Sequence, residues 1–149
     1  MKRNKLLPII ATCLVAIMVF YQLGCTKVDE QGRIDFYIDL TSGDVTNTNG
    51  SSQFQIPNYT QNLYVTGGKV YVNGLIVFKG LDGNYYALSQ YCPNDGCDVD
   101  YQVSYDRLQC PCDLSLFNID GSVLMGPVTV PLYRYATLLS GTSLHVYTP

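Results

Sequence analysis

Four cysteines in two short clusters hold most of the chemical potential of this 149-residue chain. They read Cys92-Pro93-Asn94-Asp95-Gly96-Cys97 and Cys110-Pro111-Cys112-Asp113, a C-x4-C followed by a C-x-C. Thiols placed this way close disulfides or, as thiolates, bind a soft or borderline metal ion. Four cysteines allow three pairings, and counting does not choose among them. The C-x-C end departs from the spacing of structural zinc sites. Asp95, Asp98, Asp100, Asp106 and Asp113 crowd the same region against Arg107. Oxygens of Asn94, Asp95, Asp98 and Asp100 suit Ca2+, but no calcium loop is spelled out, and such a charge run reads as a solvated rim. Asn94 and Asp95 before Gly96 read equally well as turn formers.

The chain contains one histidine, His145, which alternates with Leu144 and Val146 and so reads as an outward-facing strand residue. Without a second histidine or a Ser-His-Asp set, and with no phosphate-binding glycine loop, an enzyme is not expected.

The elements that must position the cysteines are short strands. Ile34, Phe36, Ile38 and Leu40 alternate with Asp35, Tyr37 and Asp39, the pattern of a half-buried strand. Thr41 to Gln53 is rich in Gly, Ser, Thr and Asn and is predicted to be a loop without core. Strands are predicted at Tyr64–Thr66, Lys69–Val72, Leu75–Lys79 and Tyr85–Ser89, separated by the turn pairs Gly67-Gly68, Asn73-Gly74 and Asp82-Gly83. Further strands are predicted at Val99–Val103, Arg107–Gln109, Leu116–Asn118 and Leu144–Tyr147, with another tight turn at Asp120-Gly121. No stretch has a long helical period, so the fold class is all-β, a sandwich or barrel. Thirteen tyrosines fit that class, because Tyr suits half-buried strand positions. Each cysteine cluster falls at a strand end, which puts two loops at one end of the scaffold.

At the N-terminus, Lys2, Arg3 and Lys5 precede an apolar run from Leu6 to Phe20, the layout of a signal peptide. That run is shorter than the roughly 20 residues that span a bilayer. Leu23-Gly24-Cys25 resembles the lipobox of bacterial lipoproteins, with Gln22 where that motif favours leucine. The resemblance implies a signal peptide over 1–24, lipidation of Cys25, a short linker over 25–33, and an envelope protein held on the membrane by its N-terminal lipid. Cys13 would leave with the signal peptide, and the net charge would move from −3 to −6 as Lys2, Arg3 and Lys5 are lost. An acidic exported protein is not a nucleic-acid binder. In such a compartment disulfides persist.

The segment from Ala87-Leu88-Ser89 to Leu144-His145-Val146 resembles the Rieske iron-sulfur family, in which a C-x-H-x-G-C loop and a C-P-C-H loop face each other across a [2Fe-2S] cluster. Ser115-Leu116-Phe117-Asn118-Ile119-Asp120-Gly121 is similar to the family's S-x-F-D-x-x-G turn. Gly126-Pro127 followed by Pro131-Leu132-Tyr133-Arg134-Tyr135 is similar to its proline loop and closing strands. The resemblance implies a Rieske-like antiparallel β domain over 34–149, with a cluster-binding-type subdomain at about 90–127. It places Cys92 and Cys110 at the family's two iron thiolates, and Cys97 and Cys112 at its loop-bridging disulfide. Asn94 and Asp113 then stand at the two histidine-ligand positions.

A Rieske centre takes two imidazoles on one iron. With Asn94 and Asp113 in their place, the expectation is a cluster-free domain with no cofactor, acting as a scaffold or binding module toward an envelope protein partner. Cys92 and Cys110 are expected to close as a second disulfide, since two thiolates on one metal lie roughly 3.7 Å apart and a disulfide needs about 2.05 Å. The alternative is an electron-transfer protein with a non-standard [2Fe-2S] cluster, its iron held by Cys92, Cys110 and Asp113.

Overall fold

The computed structural model describes residues 33–47, 52–57 and 63–149. The expected signal segment, Cys13 within it, and Cys25, where lipidation is expected, lie outside the described residues. Strands β1 to β6 run over Asp35–Asp39, Asp44–Asn47, Ser52–Gln55, Lys69–Val72, Leu75–Lys79 and Tyr85–Ser89. Strands β7 to β12 run over Asp100–Gln102, Arg107–Gln109, Leu116–Asn118, Val123–Met125, Arg134–Ser140 and Ser143–Tyr147. They form an eight-stranded sheet in the order β3-β2-β1-β12-β11-β6-β5-β4 and a four-stranded sheet in the order β10-β9-β8-β7. Every pairing is antiparallel.

The alternation of the first strand holds: Phe36 and Ile38 are buried while Asp35, Tyr37 and Asp39 are partly exposed. In β5 the alternation disappears, because both faces of that strand are covered. Leu75 and Val77 join the core of the larger sheet with Phe36, Ile38, Val45, Leu144 and Val146. Ile76 and Phe78 face a second core with Leu88, Val99, Tyr101, Leu108 and Phe117. The β4–β5 hairpin closes through Asn73 and Gly74, both at positive φ, the two-residue turn expected of an Asn-Gly pair. At Gly121, φ is +89° and an added Cβ would lie 2.7 Å from the Leu132 carbonyl oxygen, so only glycine fits where the Asp120-Gly121 turn meets the closing segment.

Three expectations are corrected. The stretch read as a loop without core contains β2 and part of β3, and Val45 is fully buried. Its strand character comes from pairing with β1, in which Ile38 faces Val45, rather than from its own composition. Tyr64–Thr66 is a turn, closed by the Gly68 N–H donating to the Val65 carbonyl at 3.0 Å. The strand expected to continue to Val103 ends at Gln102, because Val103–Tyr105 winds into a 3-10 turn ending on Asp106 in the left-handed region.

The four-stranded sheet is tied to the larger one by more than apolar packing. Tyr71 Oη donates to the Val99 carbonyl at 3.0 Å and to Asp100 at 3.1 Å, and Lys69 pairs with Asp100. The Tyr101 hydroxyl, projecting from the second core, donates to Asp106 at 2.6 Å. Burial and the nearby carboxylates raise the Tyr71 and Tyr101 phenols well above their ordinary range, so both remain donors.

Candidate functional site

Both cysteine loops leave the strands at one end of the small sheet, and their backbones follow one pattern. In the first loop the Cys92 N–H donates to the Cys97 carbonyl at 2.8 Å, and the Gly96 N–H donates to the Cys92 carbonyl at 2.9 Å. In the second, the Cys110 N–H donates to the Ser115 carbonyl at 2.9 Å, and the Leu114 N–H donates to the Cys110 carbonyl at 3.0 Å. The fifth residue of each turn is left-handed, Gly96 at φ 74° and Leu114 at φ 62°. Glycine takes that conformation freely, whereas leucine is held there at a cost by the surrounding bonds. In each turn an aspartate two residues before the end caps the backbone: Asp95 accepts from the Cys97 N–H at 3.0 Å, and Asp113 from the Ser115 N–H at 2.8 Å. Such capping is what Asp does in turns. The loops are therefore two copies of one Cys-Pro-x-Asp turn, Cys92-Pro93-Asn94-Asp95 and Cys110-Pro111-Cys112-Asp113.

Cys97 and Cys112 form a disulfide between the two turns, with Cα atoms 6.3 Å apart. Cys92 and Cys110 are buried, unbonded thiols, 2% and 0% exposed, on the floor of the site against the second core. The second bridge expected between them is not present in this structure. Burial pushes the Cys110 thiol above its ordinary range. Its Sγ lies 3.4 Å from both oxygens of Asp95. Ligand atoms of Cys92, Asp95, Cys110 and Asp113 all lie within 4.8 Å of one another, the thiols below and the carboxylates toward solvent.

Asn94 and Asp113, the residues at the two positions assigned to histidine, meet directly. Asn94 Nδ2 donates to an Asp113 carboxylate oxygen at 2.9 Å. The Asp113 carboxyl is held below the ordinary range, chiefly by the Ser115 backbone N–H. Ser115, fully buried, accepts from the Val128 N–H through its hydroxyl at 3.0 Å and so fixes the second turn to the proline loop. His145 is on β12, where its imidazole contacts Asp35 at 2.7 Å and stacks on Tyr37 and Tyr147 at centroid distances of 4.3 and 4.6 Å. Its partly exposed position on a strand agrees with the sequence reading.

Compared with known proteins, residues 45–136 match the family model of the Rieske [2Fe-2S] domain. The chain belongs to the Rieske [2Fe-2S] domain family. Among curated relatives, the cytochrome b6-f complex iron-sulfur subunit of Chlorobaculum tepidum is 30% identical over 70 residues, covering 46% of this chain and 39% of that protein. The menaquinol:cytochrome c reductase iron-sulfur subunit of Geobacillus thermodenitrificans is 38% identical over 63 residues, covering 40% and 37%. The b6-f subunit of Microcystis aeruginosa is 26% identical over 145 residues, covering 74% of this chain and 81% of its own. The chain thus spans about two fifths of the length of the relatives first matched. Among solved structures, the cyanobacterial plasma membrane Rieske protein of Synechocystis PCC 6803 matches with a TM-score of 0.47 and 31% identity, covering 52% of this chain and 82% of that one.

A Rieske [2Fe-2S] cluster fits half of this site. Two thiols from opposing loops suit one iron, but the second iron takes two imidazoles, and the chain's one histidine is engaged in the larger sheet. Asp95 is the turn former expected from the sequence; its equivalence to Asp113 is what sequence reasoning missed. Matching against C-x-H-x-G-C draws the eye to Asn94, whereas the turn geometry makes Asp95 the counterpart of Asp113. The repeated C-P-x-D was the available signal.

Proposed function

We propose that this Rieske-family chain is a cluster-free module of the bacterial cell envelope, exported by its N-terminal segment and lipid-anchored at Cys25. On this reading residues 34–149 are a scaffold or binding domain, and its partner is another envelope protein that meets the disulfide-stapled tip. It is not an enzyme, and it does not carry electrons as the family's cluster-bearing subunits do. One observation carries the reading: Asn94 and Asp113, at the positions assigned to the second iron's ligands, are hydrogen-bonded to each other at 2.9 Å. An amide is a poor ligand for iron held by soft thiolates, and engaging Asp113 with that amide stabilises the tip without a cluster.

A second reading, an electron carrier with a non-standard [2Fe-2S] cluster at Cys92, Cys110 and Asp113, draws support from the family membership and from the retained thiol pair. Iron and acid-labile sulfide analysis of protein purified with and without air separates the two. The cluster-free reading expects a colourless protein without labile sulfide in both preparations. Two irons and two sulfides per chain, with a red-brown colour, would replace it with the second reading.

A further inference from the structure

Asp95 and Asp113 come within 4.8 Å of each other directly above two thiols, and among the described residues neither takes part in a salt bridge. Two carboxylates this close repel unless a cation lies between them. A disulfide between Cys92 and Cys110 would leave that repulsion in place. A divalent ion would remove it and would use the thiols as well.

We infer that the two Cys-Pro-x-Asp turns form a mononuclear site for a divalent transition ion of the zinc class, bound by Cys92 and Asp95 from one turn and Cys110 and Asp113 from the other. This rests on the cluster-free reading and specifies what the site takes instead of a cluster. Two thiolates and two carboxylates are a four-donor set suited to tetrahedral Zn2+. Metal–sulfur bonds of about 2.3 Å and metal–oxygen bonds of about 2.0 Å put ligand atoms roughly 3.3–3.8 Å apart in a tetrahedron. Donors already within 4.8 Å therefore need to close by at most about 1.5 Å, a shift that side-chain rotation supplies.

The surrounding bonds favour the same geometry. Each carboxylate is oriented by a backbone N–H two residues on, from Cys97 or Ser115, which leaves lone pairs free for an ion. Asn94 Nδ2 donates to Asp113 at 2.9 Å, the contact of an outer-sphere partner that fixes a ligand's orientation. The disulfide keeps the turns face to face, so a site drawn from two loops is preassembled. The carboxylates stand at the open mouth, an entry path for the ion from solvent. On binding, two thiols become thiolates and two protons are released per ion. No electron is transferred, and the bound sulfurs are withheld from oxidation.

Co2+ serves as the visible probe. The exported, processed protein, from which Cys13 has been cleaved and in which Cys25 is lipidated, is purified anaerobically, stripped with a chelator, and its free thiols counted before titration. Two free thiols are expected, followed by one Co2+ per chain with a thiolate-to-cobalt absorption that Zn2+ abolishes by displacement. Cys92→Ser and Cys110→Ser should each weaken that absorption, and the double substitution should remove it. Asp95→Asn and Asp113→Asn should each lower Co2+ affinity by at least roughly tenfold with an unchanged far-UV dichroism spectrum. Asn94→Ala should keep the thiolate-to-cobalt absorption, since Asn94 supplies no donor, but should lower Co2+ affinity by less than the Asp substitutions do, because Asp113 loses its orienting partner. The inference is overturned by a chain without free thiols, by two free thiols with no cobalt absorption, or by affinity that neither Asp substitution changes. Labile sulfide in the starting protein would instead overturn the cluster-free reading on which it rests.

Discussion

Strand β5 and the two cysteine turns contribute to the same second core, and they are held in place by different physics. Ile76 and Phe78 are held by burial within a regular strand ladder, as one face of a strand whose other face is also covered. The turns bury only their first cysteines and Ser115. Their shape comes from two backbone hydrogen bonds apiece, an aspartate cap in each, and one disulfide between them. A region held by apolar area tolerates exchange of one hydrophobe for another, while a region held by directional bonds fixes the positions of named atoms. Such a division allows a family to keep its sheets while the chemistry at its tip changes.

Phe78 tests the body of the molecule. It is fully buried and stacks on Tyr101 at 4.3 Å and Tyr86 at 5.4 Å. Phe78→Ala is expected to cost about 3–5 kcal/mol in denaturant unfolding, the largest loss of any single change considered. Removing the Cys97–Cys112 bridge, which spans 15 residues, is expected to cost about 2–4 kcal/mol. It should also behave differently. Hydrogen exchange should accelerate in the turns and β7–β9 while the amides of β1 and β12 stay protected, and uniform loss of protection would dissolve the distinction between the two regions.

Ser115→Ala sharpens the contrast, since it removes a buried acceptor without touching the disulfide or the thiols. The Val128 N–H would lose its partner, a loss of about 1–3 kcal/mol measurable in the same unfolding assay. The smallest effect concerns pH. Asp39 and Asp120 are held below the usual carboxylate range, first by the hydroxyls of Thr41 and Ser122 respectively, then by turn N–H groups. Because the folded state depresses these values, their contribution is full above the unfolded value of 3.8 and is lost as pH falls through the lower folded values. The urea midpoint is thus expected to stay level with respect to these groups from neutrality down to about pH 5 and to drop below about pH 4. A decline that begins near pH 6 would assign the sensitivity to another group.

Much of this was legible in the chain. The hairpin at Asn73-Gly74 with both its strands, and the Asp120-Gly121 turn with Leu116–Asn118 before it, follow from turn chemistry and alternation, which are local properties, whereas β10 after that turn was not read from the sequence. The disulfide between Cys97 and Cys112 followed from family resemblance rather than from spacing. What was not legible depends on partners distant in sequence. Asp44–Asn47 has one core apolar residue, Val45, amid polar ones, and only β1 beside it makes the segment a strand. Strand β11 presents Leu138 and Leu139 to solvent and lacks a clean alternation; pairing with β6 and β12 defines it. The pairing of Asp95 with Asp113, 18 residues away, is hinted at by the repeated C-P-x-D but is fixed only by the matching backbone bonds of the two turns.

Native mass spectrometry of the full chain, isolated without air or added metal, tests the central claim most directly. The account expects a protein with one disulfide that carries either nothing more or a single divalent ion at the Cys92 and Cys110 site. A species heavier by two irons and two sulfides, lost when Cys92 and Cys110 are replaced by serine, would contradict it.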